Sequence, residues 1–508
     1  MNQARVLPNV SFLNLTYPFG FDQAPFPDIL QSVQQCAWQI NIGSPQVWGE
    51  RQMPQDDLLP HVANYLYFNN DKIDPLITRG DLGSAHFWRM ETICRESPQG
   101  LGCQRNNRWE VHVDNKPPIP IQLRNIDLSL FSHGIGFITI QLEVLSDQIA
   151  DWADAQNRLR FANGSRAPLL RVERKSGKDQ YAEFTPAPQQ IGTATPTAPP
   201  TPFTMEALLS IILTAAGFQD SKSVQELFVA GRMLPYLVLY VNRQVSPEPK
   251  HPHGQGELKQ LLYQLRRIFH STQHLHPSPQ NLTLKSKYYL NYARNQWFWF
   301  SLEGGGFLAV DAPDTPFFRS DLPIHLDDQY FLIFLIALQQ RFTLMSLSNE
   351  VAHSWIPVGK NLDTRLAVFR SIRDRLFNFT ARGYFCQVMQ RENHHRCYLR
   401  WQNVFQISKL YEEVQGEVRD MHDYITDQQR RQRDLRVTLF TLLLSIIVGA
   451  PTLAMAFLSI NLEGITAKEE GLPVGSALGW VALWTGAFAR IFTVIRIGIT
   501  RWTKRSTD

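Results

Sequence analysis

Residues 437–462 read VTLFTLLLSIIVGAPTLAMAFLSINL, a run of 26 positions without one charged side chain. A helix needs about 20 apolar residues to cross a hydrocarbon core, so this run predicts a membrane span. Pro451 is its only breaker, and spanning helices tolerate proline. A second apolar stretch covers residues 474–499 and carries Arg490 and Arg496 near its end. Basic side chains there can snorkel to the headgroups. A polar loop at 463–473 joins the two, with Glu463, Glu469 and Glu470 against Lys468. The competing reading is a buried hairpin of two long core helices.

The flanks set an orientation. Arg430, Arg431, Arg433 and Arg436 precede the first run, and Arg501, Lys504 and Arg505 follow the second in the tail 500–508. Basic flanks stay on the cytoplasmic side, which puts both termini inside and the acidic loop outside. The first residues, MNQARVLP, lack the basic start and apolar core of a signal peptide. The expectation is a multi-pass protein of the cell (inner or plasma) membrane with a cytoplasmic body. The acidic loop would meet incoming cations first, or be an ordinary solvated turn.

Within the first run, Thr438, Thr441, Ser445, Gly449, Thr452, Ala456 and Ser459 recur at intervals of three and four. That spacing places them on one helix face. A water-filled path between several chains would satisfy the hydroxyls, and the same small residues would also let helices pack closely. Upstream, Val404, Ile407, Tyr411, Val414, Val418, Met421 and Ile425 form a heptad seam. One helix is therefore predicted from Tyr398 through Arg436 and on into the span, roughly 95 Å at 1.5 Å per residue. Its seam would contact helices of the same chain or of neighbouring copies. Residues 327–353 and 361–381 read as two earlier helices. FLIFLIAL at 331–338 is too short to span a bilayer and belongs in a core.

The N-terminal half reads as α/β. Strands are predicted at 86–94, 108–113, 135–144, 234–241, 296–302 and 306–310, and helices at 146–161, 205–216 and 256–270. Gly304, Gly305 and Gly306 read as a turn between two strands. Residues 185–204, rich in Pro, Thr and Ala, read as a linker or an insertion. The predicted order is thus an α/β region (1–184), that linker, a second α/β portion (205–325), cytoplasmic helices and stalk (326–436), and the membrane part.

Chemistry is sparse. The formal net charge of +4 makes no case for nucleic acid. The five cysteines include no CxxC pair, which suits reduced thiols. His251, His253, His270, His274 and His276 form one histidine-rich stretch and His394, His395 and Cys397 another; neither has a fixed metal-ligand spacing. No GxSxG, HExxH or phosphate-loop motif is present, so no enzyme is expected.

The order of parts resembles the CorA-type two-transmembrane (GxN) divalent metal ion transporters: an α/β domain, a helical region, a long helix entering the membrane, a short outer loop and a closing second span. That family carries Gly-Met-Asn or Gly-Ile-Asn at the outer end of the first span. Ser459, Ile460 and Asn461 stand at that place, with serine for glycine. Thr452 matches a small hydroxyl residue nine positions earlier, and Arg501, Lys504 and Arg505 match a basic collar. The family's hydrophobic gate positions fall on Thr438, Thr441 and Gly449. The resemblance covers roughly residues 326–508 at the level of motifs. It implies a homopentamer in the lipid bilayer, with five Asn461 amides facing a hydrated divalent cation, Mg²⁺ first, and no resident cofactor. The alternative function is a membrane-anchored sensor or effector whose cytoplasmic body binds a ligand or partner.

Overall fold

In this computed structural model the described residues are 4–21, 26–36, 47–53, 57–66, 85–90, 107–112, 117–163, 169–174, 204–218, 224–227, 231–243, 254–271, 277–282, 286–354, 362–465, 486 and 490. The chain divides into two units, Met1–Leu347 with Arg375–Glu413, and Ser348–Asp374 with Val414–Asp508.

Strands that range from alternating apolar and polar residues, as in β6, to nearly continuous apolar runs, as in β10 and β13, build the first unit. Its described strands are β1 (Ala4–Val6), β2 (Phe12–Phe21), β3 (Trp48–Glu50), β4 (Ala85–Met90), β5 (Asn107–His112), β6 (Ile119–Phe131), β7 (Ile135–Val144), β8 (Leu169–Arg174), β9 (Val224–Glu226), β10 (Leu234–Arg243), β11 (Tyr289–Ala293), β12 (Gln296–Ser301) and β13 (Gly304–Val310). They form one sheet whose main path runs β11-β12-β13-β10-β2-β7-β6-β4-β3. Only β10 and β13 pair in parallel among the described strands. The α/β expectation therefore becomes a mixed, mostly antiparallel sheet. Strands from both sides of residues 185–204 share it, since β2 pairs with β10, so 1–184 and 205–325 contribute to a single sheet.

The described helices are α1 (Phe26–Gln35), α2 (Pro60–Leu66), α3 (Ile149–Leu159), α4 (Met205–Ala215), α5 (Gly254–Arg267), α6 (Leu322–Asp327), α7 (Gln329–Ser354), α8 (Leu362–Arg382), α9 (Glu392–Phe405) and α10 (Ile407–Ile465). A period of two sends Leu13 and Leu15 of β2, Ile138 and Ile140 of β7, and Ile126 and Leu128 of β6 to one face. There they cluster with Trp152, Ile212, Leu262 and Leu265 of α3, α4 and α5. The opposite face takes α7 and α9: Phe334 stacks on Tyr236 at 5.5 Å, Phe137 meets Phe342, and Phe300 meets Trp401 edge-on at 4.8 Å. Helices thus cover both faces, the arrangement that lets a sheet hide two apolar sides.

Two sequence expectations need correction here. All three glycines of the triplet lie in β13, and the turn before them is formed by Leu302 and Glu303, with Gly304 at φ 144°. Their missing side chains make room: a Cβ on Gly305 would come within 2.4 Å of the Trp401 ring, and one on Gly306 within 1.9 Å of the Leu237 carbonyl oxygen. The helix expected to run unbroken from Tyr398 is also interrupted. Gln406 adopts φ 56° and ψ 37°, the left-handed conformation that ends a helix, and closes α9 before α10 begins. The segment 326–436 runs through both units.

Among the described residues one helical stretch, Phe317–His353, is long and apolar enough to cross a membrane, and 83% of its apolar window is buried within the fold. It contains FLIFLIAL, whose side chains are all fully buried. In the second unit, α10 buries Val414, Met421 and Ile425 of the predicted seam, and α8 buries Ile372. That burial occurs within one chain.

Candidate functional site

α10 is a continuous helix of 59 residues, roughly 90 Å long at 1.5 Å per residue. Beyond Ile425 its described side chains are no longer buried. Val437, Phe440, Leu442, Leu444, Ile447 and Val448 are between half and two-thirds exposed; five of them share one broad face and Leu442 lies away from it. Helical backbone bonding leaves no amide short of a partner, as a lipid environment demands. Among the described residues these side chains find no cover.

The predicted stripe lies on this segment. The Thr441 hydroxyl donates to the Val437 carbonyl oxygen at 2.9 Å, the Ser445 hydroxyl to Thr441 at 2.8 Å, and the Thr452 hydroxyl to Val448. Each donor is therefore satisfied by its own helix four residues back. Neither a water-filled path nor a neighbouring helix is needed to satisfy these three hydroxyls. Thr438 is exposed, and a Cβ built on Gly449 would meet nothing within 4 Å. Ala456, Ser459, Ile460 and Asn461 are helical in backbone. The helix continues to Ile465, so Glu463 stands in its last turn and not in the expected loop. Glu469, Glu470, Arg501, Lys504 and Arg505 lie outside the described residues, as does most of 474–499; Gly486 and Arg490 are helical and exposed.

A second constellation escaped the sequence reading. On the α7 side of the sheet, Asn14 faces Gln141 and Thr16 faces Thr139 across β2 and β7, and Asp127 faces Thr139 across β6. Asp127 receives a forked pair of hydrogen bonds from Arg89, at 2.8 and 3.0 Å, and an ion pair from Arg51. Arg51 also reaches Asp328 at 2.8 Å. Next to it, the Asp327 carboxylate accepts from Gln141 at 2.6 Å and from Asn14 at 3.2 Å. Burial raises the pKa of Asp327, against the opposing pull of Arg51 and these hydrogen bonds. Asn14 Oδ1, Thr16 Oγ1 and Thr139 Oγ1 are buried without a partner. Arginines already occupy Asp127 and Asp328, so the cluster clamps the α6–α7 junction to the sheet and leaves no free pair of carboxylates for a cation. Its members lie between positions 14 and 328, and only strand register brings them together.

Among the described residues the histidine clusters bring no metal ligands together. His251, His253, His274 and His276 lie outside the described residues. His270 is buried with its Nε2 3.4 Å from Asp154. His394 packs edge-on against Tyr330 at 4.5 Å, and burial lowers its pKa to about 4. Burial pushes the Cys397 thiol up, away from the thiolate a metal needs. Among the described residues no three His, Cys, Asp or Glu side chains converge. No family model, characterised protein or solved structure matches this chain.

Proposed function

We propose that this chain is a membrane protein in which residues 437–462 cross the bilayer and, with the same segment of other copies, line a path for divalent cations, Mg²⁺ first. One observation carries the membrane step: a largely apolar helical segment whose described side chains are not buried. Soluble proteins rarely expose contiguous apolar patches beyond a few hundred Å², and fully burying one Leu or Phe is worth about 1.5–3 kcal/mol. The cation step rests on the resemblance at Ser459, Ile460 and Asn461. A ring of neutral amides can hold the water shell of Mg²⁺, which sheds its water reluctantly, without trapping the ion.

The internally bonded hydroxyls favour a second reading. A helix whose Thr and Ser donors are already satisfied can face lipid or another helix, so the segment would also serve as an anchor for a sensor or effector body. Metal uptake into liposomes separates the two. Wild type is expected to carry Mg²⁺ and Asn461→Ala to carry it far more slowly; equal flux removes Asn461 from the path. Five-fold particles in detergent would fit the path, and monomers would leave the anchor.

A further inference from the structure

The seam of the second unit does not close completely. Between α8 and α10 lies a cavity of about 140 Å³, near the ~150 Å³ of an engineered apolar cavity that admits benzene. Phe369, Met421 and Ile425 form an apolar floor, and Arg370, Arg373 and His422 stand along its margin. We propose that this groove binds a fatty-acid anion, its carboxylate on Arg370 and Arg373 and its proximal methylenes on the floor.

The chemistry selects that occupant. None of the lining residues is acidic, so the margin is complementary to an anion. Planar guanidinium forks match a carboxylate, and two lie within four residues of one helix. Arg373 touches Asp374 at 3.2 Å, but that carboxylate is 66% exposed, and such surface pairs are weak competitors. An inorganic anion would leave the apolar floor wet, and a neutral hydrocarbon would leave the arginines unmatched. The volume takes part of one chain, not two.

Position along α10 argues for a ligand that can leave the bilayer. Ile425 lies 12 residues before Val437, roughly 18 Å along the helix. If the bilayer core begins at Val437, as proposed above, the groove stands beyond a headgroup layer of roughly 5–8 Å. A single-chain acid can leave the leaflet to reach it, whereas a two-chain lipid held in the leaflet cannot. Binding itself requires no cation path, so its failure and that of the transport proposal are separate results.

The test uses the full chain in nanodiscs of neutral phosphatidylcholine, with a diazirine-bearing palmitate as probe and peptide mapping by mass spectrometry. Cross-links are expected within 366–373 and 418–429. Oleate should compete, while oleyl alcohol, inorganic phosphate and added phosphatidylserine should not. The double variant Arg370→Gln, Arg373→Gln should weaken the oleate competition by about tenfold or more, the loss of one charge-assisted hydrogen bond. Met421→Trp should remove the labelling by filling the floor. Labelling confined to 437–462 would overturn the proposal, as would equal competition by oleyl alcohol or phosphatidylserine. If Met421→Trp fails to fold, the exposed arginine pair still decides, because unchanged competition there also overturns it.

Discussion

FLIFLIAL at 331–338 and LFTLLLSIIV at 439–448 are near-equivalent strings with opposite fates. In α7 the eight side chains lie against the sheet and α9, every one with 0 or 1% of its surface exposed. In α10 Phe440 is 66% and Ile447 62% exposed. Composition cannot produce that contrast. What differs is the partner: α7 has a sheet face whose aromatics Tyr236 and Phe137 receive Phe334 and Phe342, and the α10 segment has none among the described residues. The same side chain thus stabilises folding in one helix and requires an outside apolar phase in the other.

The largest effect that would break this comparison is in α7. Phe334→Ala removes a ring held between Tyr236 and Trp401 and should cost about 3–5 kcal/mol, read by denaturant unfolding of the sheet unit. Replacing Leu442, Leu444 and Ile447 together by Ser should leave that transition within about 0.5 kcal/mol, as expected for exposed sites. The same triple change should move the chain out of the membrane fraction of cells. If both variants unfold the sheet unit alike, the two helices are not different in kind.

Next in size is the polar clamp. Asp127→Ala removes the forked partner of Arg89 and leaves Arg51 only Asp328, and should cost about 3 kcal/mol. Replacing both Asp127 and Arg51 with apolar residues should recover part of that loss, a coupling measurable by a double-mutant cycle. Full additivity would show that the ion pair of the clamp is not a unit.

Acid should act mainly on the sheet unit. Burial lowers His86, His133 and His394 to about 4 from an ordinary value near 6.5. Unfolded chains take up these protons as pH falls below 6.5, while the folded unit does not until about pH 4. Their contribution is complete above pH 6.5 and is lost as pH falls through that window, at about 1.4 kcal/mol per pH unit for each fully buried site. Asp327 has the opposite sign: its raised pKa makes it less favourable to folding as pH rises through the raised value. His86→Phe keeps the ring between Phe26 and Trp88 and should flatten the slope of stability against pH between 4 and 6.5. An unchanged slope would remove His86 from the account.

Local pattern carried the six strands expected from sequence, each of which overlaps an observed one. Alternation and β-branched density are properties of a single segment, and β7 and β12 display them openly. β2 and the 13-residue β6 escaped, because Asn14, Thr16, Asn125 and Asp127 break the apolar signal on the face where the clamp forms. That clamp was illegible for the same reason: its residues gain meaning only from register. Gln406 gave no warning as a helix end, since glutamine is an ordinary helix former. The apolar run of α10 was fully legible, while the satisfaction of its hydroxyls was not.

The smallest expected effect is the sharpest test of the stripe. Thr441→Val removes a hydroxyl whose only described bond runs to Val437 on the same helix. Valine is nearly isosteric, and the carbonyl it releases still has its helical partner, so stability should change by less than about 0.5 kcal/mol. Gly449→Leu should be equally silent, because among the described residues nothing lies within 4 Å of the added Cβ. An assembly that brings this face to a common axis would respond differently. There the introduced leucine side chains would crowd one another, lower the oligomer's stability in detergent and slow Mg²⁺ uptake, while the unfolding of the sheet unit stayed unchanged. Should Gly449→Leu leave oligomer and uptake alike untouched, the Thr441–Gly449 face meets only lipid, and the path must be sought elsewhere on the chain.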